Sequence, residues 1–135
     1  MIQGETEHPA GVPVPGTGSI LFAVVGGALA WTLHFLGSYA LVAVGCVSGW
    51  PDVRVVLVAG TVALGAMAAG STALAWRGWR RVSAGQRWDS ALGEPRGWLA
   101  FLMLTGIILG GISLLTILLE GLGTLALPLC GWDVR

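Results

Sequence analysis

The chain has 135 residues, of which 55% are apolar and only 10% charged, and its mean hydropathy is +0.81. A soluble domain usually carries about 25% charged residues, and a small domain has too little interior to hide so much apolar surface. These values exclude a soluble globular enzyme. Seven acidic residues balance seven basic ones, so no excess basic charge is left to bind nucleic acid. The sequence therefore predicts a small integral membrane protein.

In chain order, the first predicted element is a tail over residues 1–18, which contains three Pro and four Gly and has no apolar periodicity. Residues 19–135 are predicted to form one all-α domain, because three apolar runs each exceed the roughly 20 helical residues that cross a bilayer. Pro51 and Pro128 end the first and third runs, since Pro cannot continue the helical hydrogen bonding. The predicted spans are about 19–45, 53–76 and 98–122, with an extension of the last to 127 left open.

The distribution of Arg predicts the orientation of these spans. The loop from Arg77 to Arg96 holds five Arg, whereas Arg54 is the basic residue of the first loop and Arg135 that of the C-terminal tail. Positive charge favours the cytoplasmic side, so the N-terminus is predicted to be cytoplasmic and the C-terminus outside. Trp near the span ends fits an aromatic belt at both interfaces. The residues concerned are Trp50 and Trp132 outside, and Trp76, Trp79, Trp88 and Trp98 inside.

Small residues at four-residue spacing predict where the helices pack, because they let backbones approach closely. These residues are Gly26, Ala30 and Ser38 in the first span, Gly65 and Ala69 in the second, and Gly106 and Gly110 in the third; His34 lies on the same predicted packing face as the first three.

His34 is predicted near the middle of the first span, where an ionisable side chain indicates a functional site. A haem ligand, a copper ligand and a proton relay are the functional interpretations. The chain has only two His and two Cys, so one copy cannot build a closed metal site of four soft ligands. The simplest interpretation is a neutral His34 that donates a hydrogen bond to another helix. A second interpretation places His34 near the cofactor of a partner subunit. No cofactor is predicted for the isolated chain beyond bound lipid.

Two further pairs are predicted at the outer side. Cys46 follows the first span and Cys130 the third, which places both in a compartment that permits disulfides, so a Cys46–Cys130 bond is predicted. Arg54 and Glu120 also fall at outer span ends, where they either form an ion pair or reach separately to the interface. Neither lies deep enough to predict a proton pathway across the membrane.

The segment from Gly27 to Cys46, GALAWTLHFLGSYALVAVGC, resembles a pattern in small bacterial membrane proteins associated with caa3-type haem-copper oxidases and their assembly factors. The matching positions are Ala30, Trp31, His34, Ser38, Tyr39 and Cys46. The resemblance covers about 20 of the 135 residues. It implies an association with aerobic respiration and carries no catalytic residue across.

The functional expectation is a non-catalytic accessory subunit of a larger complex in the bacterial inner membrane, such as a respiratory oxidase, with integral membrane subunits and the lipid bilayer as partners. The alternatives are a small homo-oligomeric transporter or channel and an assembly or haem-delivery factor. An all-Arg basic complement, typical of a GC-rich bacterial gene, supports the bacterial assignment.

Topology provides the first test. We expect a reporter fused at Gln86 to behave as cytoplasmic and one fused after Arg135 as external, because the five-Arg loop lies on the cytoplasmic side. Paired cytoplasmic and periplasmic reporters at both sites measure this. A periplasmic reporter that is active at Gln86 contradicts the orientation.

Overall fold

The structure is a computed structural model that describes residues 16–84, 95–128 and 130. The predicted tail before residue 16 therefore lies outside the described residues, as do Arg87, Trp88, Trp132 and Arg135.

The described residues form three helices and no strand. The helices are α1 (Thr17–Ser48), α2 (Val53–Ser83) and α3 (Pro95–Ala126). Each contains a stretch long and apolar enough to cross a membrane. The predicted all-α fold, with three helices long and apolar enough to cross a membrane, is thus confirmed, while the side on which each terminus lies stays a prediction.

The helices are longer than the predicted spans. At 1.5 Å per residue, the 32 residues of α1 extend about 48 Å, compared with a hydrocarbon layer of about 30 Å. The part of α2 beyond the predicted span contains Arg77, Arg80 and Arg81, and all three are exposed. Three Arg of the predicted cytoplasmic loop are therefore fixed on the last turns of a helix.

A tight turn joins α1 to α2. Gly49 adopts the left-handed conformation, with φ of 65°, and donates its backbone N–H to the Gly45 carbonyl. Only glycine enters this region without steric cost. Pro51 follows two residues later and prevents α1 from continuing. The turn sends α2 back antiparallel to α1, so both helices pack along much of their length.

The parallel pair, α1 and α3, approaches most closely where glycines meet. A Cβ built on Gly27 would lie 2.6 Å from the Gly110 Cα, and one built on Gly106 would lie 2.6 Å from the Ala23 carbonyl oxygen. Both obstacles are backbone atoms, which cannot swing away as a flexible side chain can. The predicted packing residues Gly106 and Gly110 thus bring two backbones together, as small residues do in membrane bundles.

Between the three helices lie two clusters of buried residues, in each of which two alanines pack against one larger side chain. One contains Ala23, Ala75 and Met103, and the other contains Ala30, Ala68 and Ile117. The two clusters therefore combine short alanine side chains with one long side chain each, Met103 or Ile117.

One predicted packing residue is corrected by the structure. Gly65 is buried, but Ala69 is exposed and Ala68 is completely buried. Four residues turn an α-helix by about 400°, so a strict four-residue spacing drifts about 40° per step. The packing face of α2 follows mixed steps of three and four residues, from Gly65 through Ala68 and Ser71 to Ala75.

Gly27→Ala tests the backbone contact. We expect a loss of about 1–3 kcal/mol in the free energy of unfolding, because the added methyl group forces α1 and α3 apart. Gly37→Ala is the matched control on the same helix, since a Cβ at that position would have nothing within 4 Å; it should change stability by less than about 1 kcal/mol. Unfolding in mixed micelles, followed by Trp fluorescence, compares them. Equal stability of the two variants contradicts the contact.

Candidate functional site

The small-residue face of α1 places His34 inside the bundle. Ala30 and Gly26 are buried one and two turns before it, and His34 itself is only 3% exposed. Ser38, the fourth residue of this predicted face, is half-buried. The side chain of His34 consequently points toward α2 and α3 rather than toward lipid.

Both ring nitrogens of His34 have partners, and each partner lies on a different helix. Nε2 lies 2.9 Å from Thr61 Oγ1 on α2, and Nδ1 lies 3.0 Å from Glu120 Oε2 on α3. Thr61 also donates its hydroxyl to the Leu57 carbonyl oxygen, at 2.9 Å. One imidazole therefore links all three helices by side-chain hydrogen bonds.

Close packing of α3 gives Glu120 its position. Gly106, Gly110, Ser113 and Ile117 are all buried, and Glu120 continues this face by a further step of three residues. A Cβ on the next residue, Gly121, would lie 2.5 Å from Thr61 Cγ2. Because Gly121 has no side chain, α3 can approach Thr61 closely, and the Glu120 carboxyl then lies within hydrogen-bond distance of the imidazole.

The two ionisable groups differ in exposure. The side chain of His34 is 2% exposed and that of Glu120 is 32% exposed. An isolated charge at this depth is very costly, and a buried ionic pair is tolerated only when its remaining polar atoms are also satisfied. The described residues include no buried side-chain N or O atom without a hydrogen-bond partner.

A shallow groove between α1 and α2 reaches His34. Its volume is about 60 Å³. Besides His34, its walls contain mostly apolar or small residues: Leu33, Gly37, Ser38, Leu41, Val56, Leu57, Gly60 and Leu64. The groove therefore offers the imidazole an apolar surrounding on this side and no further ionisable group.

Metal ligation at His34 would require a change in these contacts, because both nitrogens already have hydrogen-bond partners. Among the described residues, no group of three His, Cys, Asp or Glu side chains could hold a metal ion.

Cys46 and Cys130 are joined by a disulfide in the structure. The S–S distance is 2.01 Å and the two Cα atoms are 5.5 Å apart. The bond ties the end of α1 to the segment that follows α3, on the side of the bundle nearer to Glu120.

No family model, curated protein or solved structure matches this chain. The resemblance to oxidase-associated proteins accordingly stays a prediction.

The predicted ion pair of Arg54 and Glu120 does not form, which corrects that alternative. Arg54 Nη2 donates to the Leu127 carbonyl oxygen at 3.3 Å, whereas Glu120 pairs with His34. Glu120 lies six residues before the end of α3, about 9 Å along the axis, and faces the bundle interior. Arg54 lies in the first turn of α2 and is exposed.

The sequence contained a signal for the His34–Glu120 pair. His34 precedes Cys46 by twelve residues and Glu120 precedes Cys130 by ten. With the two cysteines joined, helical rise puts His34 about 18 Å from the covalent link, and it puts Glu120 about 9 Å from the end of α3, which Cys130 follows by four residues. The predicted disulfide therefore already placed His34 and Glu120 in the halves of α1 and α3 that lie nearer to the same end of the bundle.

The disulfide can be tested by alkylation. Denatured, unreduced protein should show no added mass after alkylation, and reduction should expose two thiols. Chain entropy assigns about 4–5 kcal/mol to a disulfide that closes a loop of 84 residues. Loss of the bond should lower the free energy of unfolding by less than this, because the membrane already confines the helices. Cys46→Ser serves as the control, with one thiol modified in either condition. Two modified thiols in the unreduced wild type contradict the bond.

Proposed function

We propose that this chain is a non-catalytic accessory subunit of a larger complex in the bacterial inner membrane, and specifically of a respiratory oxidase or related electron-transfer assembly. The observation that carries the proposal is a column of three aromatic side chains on the outer face of α1, Trp31, Phe35 and Tyr39. Their exposed fractions are 37%, 51% and 76%.

These aromatic residues lie at an unusual depth. Trp31 is the fifteenth of the 32 residues of α1 and Tyr39 the twenty-third, so Trp31 is near the helix midpoint and Tyr39 about 10 Å from it. Indole and phenol groups favour the headgroup region, where their polar ends meet water. Within the described part of the chain, neither the Trp31 N–H nor the Tyr39 hydroxyl has a hydrogen-bond partner.

An unpaired donor in hydrocarbon is unfavourable. A transmembrane helix of a partner subunit, with backbone carbonyl or hydroxyl acceptors at these depths, would satisfy both donors and cover the ring faces. Trp31 and Phe35 already stack on each other, with centroids 6.0 Å apart. This stacking gives the column a preformed flat surface for such a helix.

The outer face of α3 provides the contrast. Beyond Trp98 and Phe101, which stack on each other in its first two turns, it exposes aliphatic side chains without donors, among them Ile108, Ile112, Leu115, Leu119 and Leu122. Such a surface suits lipid tails. The bundle therefore has two unlike outer faces, and we assign the aromatic one to the partner and the aliphatic one to the bilayer.

The respiratory assignment rests on the resemblance of the segment from Gly27 to Cys46 to membrane proteins associated with haem-copper oxidases. Trp31 and Tyr39 belong both to that resemblance and to the exposed column, whereas His34 belongs to it and points inward. A homo-oligomeric transporter is the second candidate, and the observation that favours it is the ionisable His34–Glu120 pair within the membrane.

A photo-crosslinking amino acid tests the partner surface. With benzoylphenylalanine at Phe35, we expect a single protein adduct to a larger integral membrane polypeptide in the native membrane. Ile112 is the matched control, since it is also exposed, at 60%, but lies on the aliphatic face; it should yield no protein adduct. Mass spectrometry identifies the partner.

The possible results separate the alternatives. An oxidase subunit in the adduct supports the full proposal, whereas a partner from an unrelated complex contradicts the respiratory assignment. An adduct of twice the chain mass contradicts the accessory role and favours the homo-oligomer. Trp31→Leu combined with Tyr39→Phe should lower co-purification of the partner several-fold, because both changes remove a donor while they retain an apolar surface.

A further inference from the structure

We propose that His34, Thr61 and Glu120 form a proton-binding site within the membrane, in which one exchangeable proton is shared between the imidazole and the carboxyl group. This inference does not depend on the accessory role, because it rests on the hydrogen-bond geometry of the bundle interior.

The proton count follows from the donors. The Thr61 hydroxyl has one hydrogen, which it donates to the Leu57 carbonyl oxygen. Its oxygen must then accept from His34 Nε2–H across the 2.9 Å contact. With Nε2 protonated, a hydrogen bond across the 3.0 Å between Nδ1 and Glu120 Oε2 requires a second proton. That proton lies either on the imidazole, as in an imidazolium–carboxylate pair, or on the carboxyl group.

Both arrangements leave the cluster with zero net charge. The alternative has one proton fewer: Thr61 donates to Nε2, Nδ1–H donates to an ionised Glu120, and the cluster carries one negative charge. A net charge in a low-dielectric interior is unfavourable, so the geometry favours the neutral cluster. Removal and return of the shared proton switch the site between these two states.

Few other charged groups act on the site. On α1 the only other titratable side chain among the described residues, outside the disulfide, is Tyr39, on the outer face. On α2 the nearest ionisable groups are Arg54, bonded to the Leu127 carbonyl oxygen, and Asp52 at the helix start. Arg54 is seven residues from Thr61, about 10 Å along the axis. Glu120 is the ionisable group that α3 presents to His34.

Proton exchange occurs through Glu120. Its side chain is 32% exposed, compared with 2% for His34, and it lies about 9 Å from the end of α3 that the disulfide secures. The opposite end, with Arg77, is about 24 Å from Thr61 along α2. We therefore assign the exchange to the same side of the membrane as the disulfide.

The test uses the full chain in lipid nanodiscs with ¹⁵N-labelled His and ¹³C-labelled Glu carboxyl groups. A His8→Gln background leaves His34 as the one imidazole. Across a pH series, the His34 nitrogen and Glu120 carboxyl resonances should change together in one step, because a proton shared by two groups is a property of the pair. Two separate steps, or no change at either residue, overturn the proposal.

Variants assign the groups. Glu120→Gln should abolish the common step, because it removes the carboxyl group that shares the proton with His34. Thr61→Ser keeps the hydroxyl and should preserve the step, whereas Thr61→Val removes the acceptor for Nε2–H and should shift it. If Glu120→Gln does not fold, the comparison of Thr61→Ser with Thr61→Val still tests the proton-binding site. Identical titrations of these two variants contradict the role of Thr61 in the site.

Discussion

The bundle depends on a polar contact made between its three apolar helices. His34 on α1 has acceptor or donor partners on both other helices, and neither helix can slide by a turn without leaving a polar atom unpaired in an apolar interior. Apolar contacts between smooth helices tolerate small changes in register far better. The hydrogen bonds of one imidazole thus define the axial position of α2 and α3 relative to α1.

This contact is possible because the backbones are close together. Gly27 and Gly110 let the backbones of α1 and α3 pack directly against each other. Gly121 likewise lets α3 pack against Thr61 of α2. In membranes there is little hydrophobic driving force between helices, so packing and interhelical hydrogen bonds stabilise the bundle. The glycines and the His34 cluster therefore act together, since side chains as short as Thr61 and Glu120 could not span a wider gap.

Hydropathy and length alone predicted the three helices, because the bilayer imposes a requirement that few other folds meet. The burial of His34 also followed from a pattern within one segment, and the Cys46–Cys130 bond followed from the placement of both cysteines on one side of the membrane. The partner of His34 did not, since which side chains meet across helices depends on their rotation and tilt. For the same reason, placement at the same end of the bundle did not make Arg54 and Glu120 a pair. Ala69 was assigned to the wrong face because a spacing rule of four residues ignores the 3.6-residue turn.

The disulfide has a consequence for biosynthesis. Cys46 enters the membrane with the first helix, but its partner is 84 residues further along the chain, so the bond can form only after α3 has been inserted. Membrane helices are inserted individually before they associate, and synthesis proceeds from the N-terminus. When the Glu120 carboxyl enters the bilayer, His34 and Thr61 are already there to receive it. Covalent closure then comes last, and it fixes an arrangement that the polar contact has selected.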